Sequence, residues 1–222
     1  MKAEKIPTAS ELFDLSHTIA APLLAAHENP EDALAGLYGF IIEKMGELPC
    51  DFYEYAPKVL VSRSADISPT AEIHGPAIIC GGATVRHNAY IRGNVIVGEG
   101  AVIGNSSEVK GSIIFDGAKL PHYNYVGDSI LGYRVHLGAG VILSNLRLDG
   151  KEVVIRAGEH SRPTGRRKLG SIIGDMTEIG CGAVLCPGTV VGRESRIYPL
   201  CSVRGVISSR CIYDGREERR LV

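Results

Sequence analysis

Two hydrophobic rhythms divide the chain. Between residues 8 and 47 apolar positions recur at helical spacing, which predicts two helices. Thr8 with Glu11 makes a capping-box pattern ahead of Leu12, Phe13, Leu15 and Ile19, and Pro22 is expected to kink or shorten that helix. Asn29-Pro30-Glu31-Asp32 then supplies an N-cap, a proline for the first helical position and two acids for the first turn. Leu34, Leu37, Tyr38, Ile41, Ile42 and Met45 form one apolar stripe, as expected of a helical hairpin packed on the body or on a neighbouring subunit. Residues 48–58, with Pro49 and Pro57, read as a linker closing an N-terminal extension of residues 1–58.

From Val61 the period changes to six. Val61, Ile67, Ile73, Ile79, Val85, Ile91, Val97, Ile103, Val109 and Phe115 follow one another without a miss, and four positions after most of them stands a small residue such as Ala65, Ala71, Ala77, Ala83 or Ala89. Two apolar rows on a six-residue repeat predict short strands joined by corners, each sending one large and one small side chain inward. Gly98, Gly104, Gly132, Gly138, Gly174, Gly180 and Gly192 follow the leading residue, as expected if the corners demand backbone angles other residues resist. The rhythm resumes at Leu131, Leu137 and Leu143, breaks for an insertion over 146–171, and returns at Ile173, Ile179, Leu185, Val191, Ile197 and Val203. The step from Phe115 to Leu131 is two residues short of three repeats, which predicts a bulge or a tightened coil at His122. The repeat domain is set at 59–208 and a tail at 209–222; the N-terminal helices and Asp214-Gly215-Arg216-Glu217-Glu218-Arg219-Arg220 are candidate covers for its open ends.

Composition adds a charge asymmetry. Residues 1–58 hold four Lys/Arg against ten Asp/Glu, while the remainder holds twenty against fifteen, so the repeat region is the expected home of an anionic ligand and nucleic acid is not expected. Met1-Lys2-Ala3-Glu4-Lys5 carries no apolar signal region and no segment is long enough to span a bilayer, which predicts a cytoplasmic protein that does not engage a membrane. The six cysteines include no C-x-x-C pair and read as reduced thiols. The seven histidines offer no His-x4-His, so a three-histidine zinc site of the γ-class carbonic anhydrase kind is not expected, and no metal is assigned.

The hexapeptide rhythm resembles the left-handed parallel β-helix acyltransferases, and the resemblance implies a mainly β prism of six or seven coils, roughly 30 Å tall at the usual strand spacing. It also implies a homotrimer with active sites between neighbouring prisms. Glu108-Val109-Lys110, Pro121-His122-Tyr123-Asn124-Tyr125-Val126-Gly127-Asp128, Leu137-Gly138-Ala139-Gly140 and Ser144-Asn145-Leu146-Arg147 occur in that order. They look like the acetyltransferase domain of bifunctional sugar-1-phosphate uridylyltransferase/glucosamine-1-phosphate N-acetyltransferases, most of all the archaeal type, which shares a loop like Gly165-Arg166-Arg167-Lys168-Leu169-Gly170. No glycine-rich nucleotide loop precedes the repeats, so pyrophosphorylase activity is not expected.

The resemblance implies acetyl-CoA as donor and an amino-sugar 1-phosphate as acceptor, with His122 as general base, for which imidazole suits a proton transfer near neutral pH. The bland alternative is a structural histidine at a corner. Glu108 is a candidate to orient it or an ordinary exposed carboxylate. Arg92 and Lys110, eighteen residues apart, should stack on one prism edge, as a phosphate clamp or a solvated face. Tyr125 matches an acceptor-side position and Asn145 a catalytic and cofactor-side one; packing and a corner role are the alternatives. The substrate lysine that follows is Lys151 counted forward or Lys168 counted back. Ala139, Cys181 and Pro199 fall where the family lines its pantetheine groove, and the basic insertion is expected either to close over phosphates or to form a solvated loop. His136 stands where the family commonly has Asn, which bears on which acceptor enters. An O-acetyltransferase of another small acceptor and a non-catalytic structural or regulatory prism remain the competing readings.

Overall fold

A computed structural model describes Ala3 and residues 5–221; Met1, Lys2 and Glu4 of the polar N-terminal stretch, and Val222, lie outside the described residues. The fold is the left-handed parallel β-helix that the family resemblance implied, with N-terminal helices. Three stacks of short strands form its faces. Face 1 runs from Val59–Ser62 to Val206–Ile207, face 2 from Asp66–Ile67 to Cys211–Tyr213 and face 3 from Glu72–Ile73 to Ser202–Val203. Among the described residues faces 1 and 2 hold nine strands each, of which one on each face is antiparallel, and face 3 holds seven. The prism thus has seven full coils and two strands of an eighth, because Cys211–Tyr213, inside the expected tail, is still a parallel rung.

The inward row is Val61, Ile73, Ile79, Val85, Ile91, Val97, Ile103 and Val109, but it then continues through Ile114 and not through Phe115. Ile114 pairs with Val97 and with Leu131, whereas Phe115 points outward, its ring 5.0 Å from that of Phe13. The expected slip at His122 is therefore two separate slips. Val109 to Ile114 and Val126 to Leu131 are each one residue short, while the His122 corner keeps the full step from Leu120 to Val126. Both short steps, and the insertion between Leu143 and Ile173, fall on the edge joining face 3 to face 1; the other two edges keep six residues from first coil to last.

The repeat glycines are explained by space and not by backbone angle. A Cβ at Gly104 would lie 1.8 Å from the Pro121 carbonyl oxygen, and one at Gly138 2.6 Å from the Cys181 nitrogen. Coils stacked at a strand spacing of about 4.8 Å leave no room there for a side chain. The left-handed corner angles belong two residues later, and Asn88, Ser106, Tyr123 and Leu200 adopt them without being glycine.

Face 1 is apolar on both sides. Ile78, Ile96, Ile113, Ile130, Ile172 and Val190 form a second, outward column, buried under Leu12, Leu24, Leu34, Leu37 and Ile41. Burying each such side chain contributes about 1.5–3 kcal/mol, so the helices belong on this flank and not on an open end. The first helical segment is divided into Ala9–Leu12, a 3-10 turn at Leu15–His17 and Ala21–Ala25, with Phe13 extended between the first two. Glu11 accepts the Thr8 N–H at 3.0 Å, as the capping box requires. The long helix, Pro30–Met45, starts at Asn29 as expected, but the Asn29 amide bonds Asp32 instead of capping the backbone. Tyr38 and Ile42, read as part of its buried stripe, are 48% and 38% exposed. The segment expected as a linker contains Phe52–Ala56, an antiparallel strand on the first rung of face 1, and Glu218–Arg220 closes face 2 in the same way at the other end.

Candidate active site

With face 1 covered, faces 2 and 3 and their edges carry the exposed chemistry. On the edge joining face 2 to face 3, His122, Ala139, Cys181 and Pro199 stand at the same corner position of four consecutive coils. The register is carried by the backbone: Gly140 N–H donates to the His122 carbonyl (3.0 Å), Gly182 N–H to that of Ala139 (2.8 Å) and Leu200 N–H to that of Cys181 (3.0 Å). The sequence-predicted base and the three groove positions thus form one column. Among the described residues no hydrogen bond or ion pair engages the exposed His122 ring. Its corner is held from within. Asn124, 2% exposed, accepts the His122 N–H at 3.1 Å and donates to the Gly138 carbonyl at 2.8 Å, while its own N–H donates to Ser107 Oγ at 3.1 Å. The sequence reading gave Asn124 and Ser107 no role of their own, although both are polar interruptions of the small inward row.

A second cluster lies on the edge joining face 3 to face 1. Lys110 Nζ donates to Asp128 Oδ2 at 2.7 Å, and Asn145 Nδ2 donates to the same oxygen. The Tyr125 hydroxyl lies beside the Asn145 amide, both packed over Gly127, where a Cβ would meet them at 2.7 and 2.6 Å. Burial, reinforced by the Glu108 and Asp128 carboxylates, pushes the Tyr125 phenol up, so it stays protonated and able to donate. Arg92 and Lys110 do stack in adjacent coils, through the pairing of Ile91 with Val109. Each already faces an acid, since Arg92 Nη1 is 2.7 Å from Glu108 Oε1. Within one chain Glu108 therefore engages Arg92, and Asp128, given no role in the sequence reading, does the same for Lys110.

The remaining candidates are spread more widely. His136 sits on the open surface of face 2, its Nδ1 2.8 Å from Glu178 Oε2. Lys168 bridges to Leu146 at the neck of the insertion, directly after Asn145, whereas Lys151 lies out past the turn closed by Gly150 N–H to the Arg147 carbonyl. The insertion does not arch over the Asn145 corner. Its hairpin, Val154–Ala157 and His160–Pro163, folds back on face 1, burying Val153, Ile155, Ala157 and Leu169. Arg162 is drawn into a two-pronged ion pair with Glu31 of the long helix at 2.7 and 3.1 Å, and Arg147 pairs with Asp149. The two clusters of one chain lie on different edges of the prism, at opposite ends of the face 3 rung Tyr125–Gly127. Among the described residues no group of three or more His, Cys, Asp or Glu is placed to hold a metal ion, and no helix is long and apolar enough to cross a membrane.

The motif-bearing coils are also those with relatives. Residues 73–160 match the family model described as GMPPB C-terminal domain. A bifunctional sugar-1-phosphate nucleotidylyltransferase/acetyltransferase of Sulfurisphaera tokodaii is 45% identical over 92 residues, 41% of this chain and 23% of that protein. The chain is homologous to the archaeal bifunctional nucleotidylyltransferase/acetyltransferases. Another of these archaeal relatives, the bifunctional protein GlmU of Methanococcus maripaludis, is 40% identical over 113 residues, 50% of this chain and 27% of its own length. The chain therefore spans about a quarter of the length of the archaeal relatives it matches. Among solved structures, the acetyltransferase domain of PglB from Neisseria gonorrhoeae in complex with acetyl coenzyme A aligns with 82% of this chain and 64% of its own, at 18% identity and a TM-score of 0.34.

Proposed function

We propose that the chain is an acetyl-CoA-dependent N-acetyltransferase acting on an amino-sugar 1-phosphate, working as a homotrimer. The observation that carries this reading is the column of His122, Ala139, Cys181 and Pro199, a continuous edge of four coils with an unengaged imidazole at one end. The acetyltransferase name of an archaeal relative 45% identical over 92 residues supports it. Acetyl-CoA lies along that column, and the acceptor amine attacks its thioester carbon. A C–N bond forms and the C–S bond breaks; neutral His122 takes the proton released by the amine and returns it to the departing thiolate, giving the amide and coenzyme A. Lys110, Arg92 and Lys168 hold the acceptor phosphate, and Tyr125 and Asn145 donate hydrogen bonds to the reacting groups. The two clusters lie on different edges of one prism, so a trimer that brings one protomer's Lys110–Asn145 edge to its neighbour's His122 edge completes the site. The reaction needs no metal.

The test is thiol release from acetyl-CoA with glucosamine 1-phosphate, galactosamine 1-phosphate and serine, in the presence of a chelator, with sedimentation to read the assembly. His122→Ala should lower kcat with the preferred amino-sugar phosphate by about 10²–10⁴-fold. No release with any acceptor refutes the enzyme reading, and release that His122→Ala leaves unchanged refutes the base assignment alone.

A further inference from the structure

Further along the edge that carries Asp128, three arginines from distant parts of the sequence converge on one cleft of about 580 Å³. Arg156 comes from the insertion hairpin, Arg204 from the corner before Val206–Ile207, and Arg216 from the tail, with Tyr213 in the wall. The hairpin is held against the corner by Gly205, whose φ is +75° and whose absent Cβ leaves the room, 2.8 Å, taken by the Arg156 carbonyl oxygen. All three arginines are exposed, and among the described residues none of their guanidinium groups makes a hydrogen bond or ion pair. The two acids of the lining are engaged elsewhere: Glu217 pairs with Arg219 at 2.8 Å, and Glu218 Oε2 accepts the Ser208 N–H at 3.1 Å.

Three unpaired guanidiniums in one concavity repel one another and raise a positive potential that an anion relieves. Their planar forks match phosphate oxygens two at a time, and the volume exceeds what a single phosphate fills. The cleft is separate from the acceptor cluster. Backbone bonds step from Asp128 to Gly170, from Gly170 to Gly188, and then through Val190 to Gly205, three coils or about 14 Å along the prism. It also lies on a different edge from the His122 column. We propose that this cleft is a binding site for a diphosphate-bearing ligand of the nucleoside diphosphate class, other than the acetyl donor. The site does not depend on the acetyl-transfer reading.

Calorimetric titration of the full chain with pyrophosphate and with ADP tests it. Both should saturate a site on each protomer, and Arg204→Ala or Arg216→Ala should weaken each by about tenfold or more, as expected for loss of one charge-assisted contact. Arg210→Ala removes the same charge outside the cleft, from a pair with Glu194, and should leave the affinity unchanged. Thermal melting checks that the variants are folded; exposed arginines carry no core packing. Absence of saturable binding, or wild-type affinity in both cleft variants, overturns the site. Competition of pyrophosphate by coenzyme A overturns its separateness from the donor.

Discussion

Asn124→Ala isolates what holds the His122 corner in place. The Asn124 side chain joins two coils, accepting the His122 N–H at 3.1 Å and donating to the Gly138 carbonyl at 2.8 Å. Its removal deletes these two bonds, each with a net value of about 1 kcal/mol, and a longer one to the Val141 carbonyl at 3.5 Å, leaving carbonyls in a nearly water-free site without that donor. The expected loss is about 2–3 kcal/mol. For a chain of this size each kcal/mol shifts the melting midpoint by about 2–4 °C, so the variant should melt roughly 4–12 °C lower. Amide hydrogen exchange reads the same event locally, because the His122 N–H loses its acceptor and should exchange faster, while the Leu120 rung above it is unchanged. A midpoint within about 1 °C of wild type, together with unaltered exchange at His122, would show that the bracket does not hold the corner.

Arg162→Met should be more damaging than loss of a surface ion pair, because it strands the Glu31 carboxylate, whose side chain is 2% exposed. A cost of about 3–5 kcal/mol is expected, largely recovered in Glu31→Leu/Arg162→Met, with thermal melting of both variants as the check. Alkaline stability follows the buried thiols. Burial pushes Cys80 from 9.0 up to about 12, so between those pH values the unfolded chain gives up a proton that the folded chain keeps. Stability should therefore fall as pH rises through that window, and denaturant midpoints for Cys80→Ala should fall less steeply; equal slopes refute the assignment.

The six-residue rhythm made the inner core legible because each coil spends the same two inward positions. It lost the register at Phe115, since the corner at Gly111 is shortened by one residue and only pairing with Val97 and Leu131 shows which neighbour turns inward. The outward column of face 1 was present as apolar triplets, Ala77-Ile78-Ile79 and Val95-Ile96-Val97, but a search at every sixth position passes over their middle members. The candidate site divides the same way. His122, Ala139, Cys181 and Pro199 stand at equivalent places in the repeat, so a sequence frame aligns them. The acids that engage Arg92, Lys110 and His136, namely Glu108, Asp128 and Glu178, lie 16 to 42 positions from their partners and are matched only once the ladders exist.

Two of the three prism edges behave as a fixed ruler and the third as an adjustable slot. Between face 3 and face 1 the step from one inward residue to the next runs from Val203 to Ile207 in one coil and from Leu143 to Ile173 in another, yet the strands that follow re-enter the same rungs. A lineage can therefore lengthen, shorten or replace sequence in that slot without disturbing the pairing of a single neighbouring rung. Both Asp128 and the Arg204–Gly205 corner sit in it. Novelty in ligand choice is cheapest to acquire there, while the His122 edge, locked at six residues by glycines with no space for a side chain, is free to keep one chemistry.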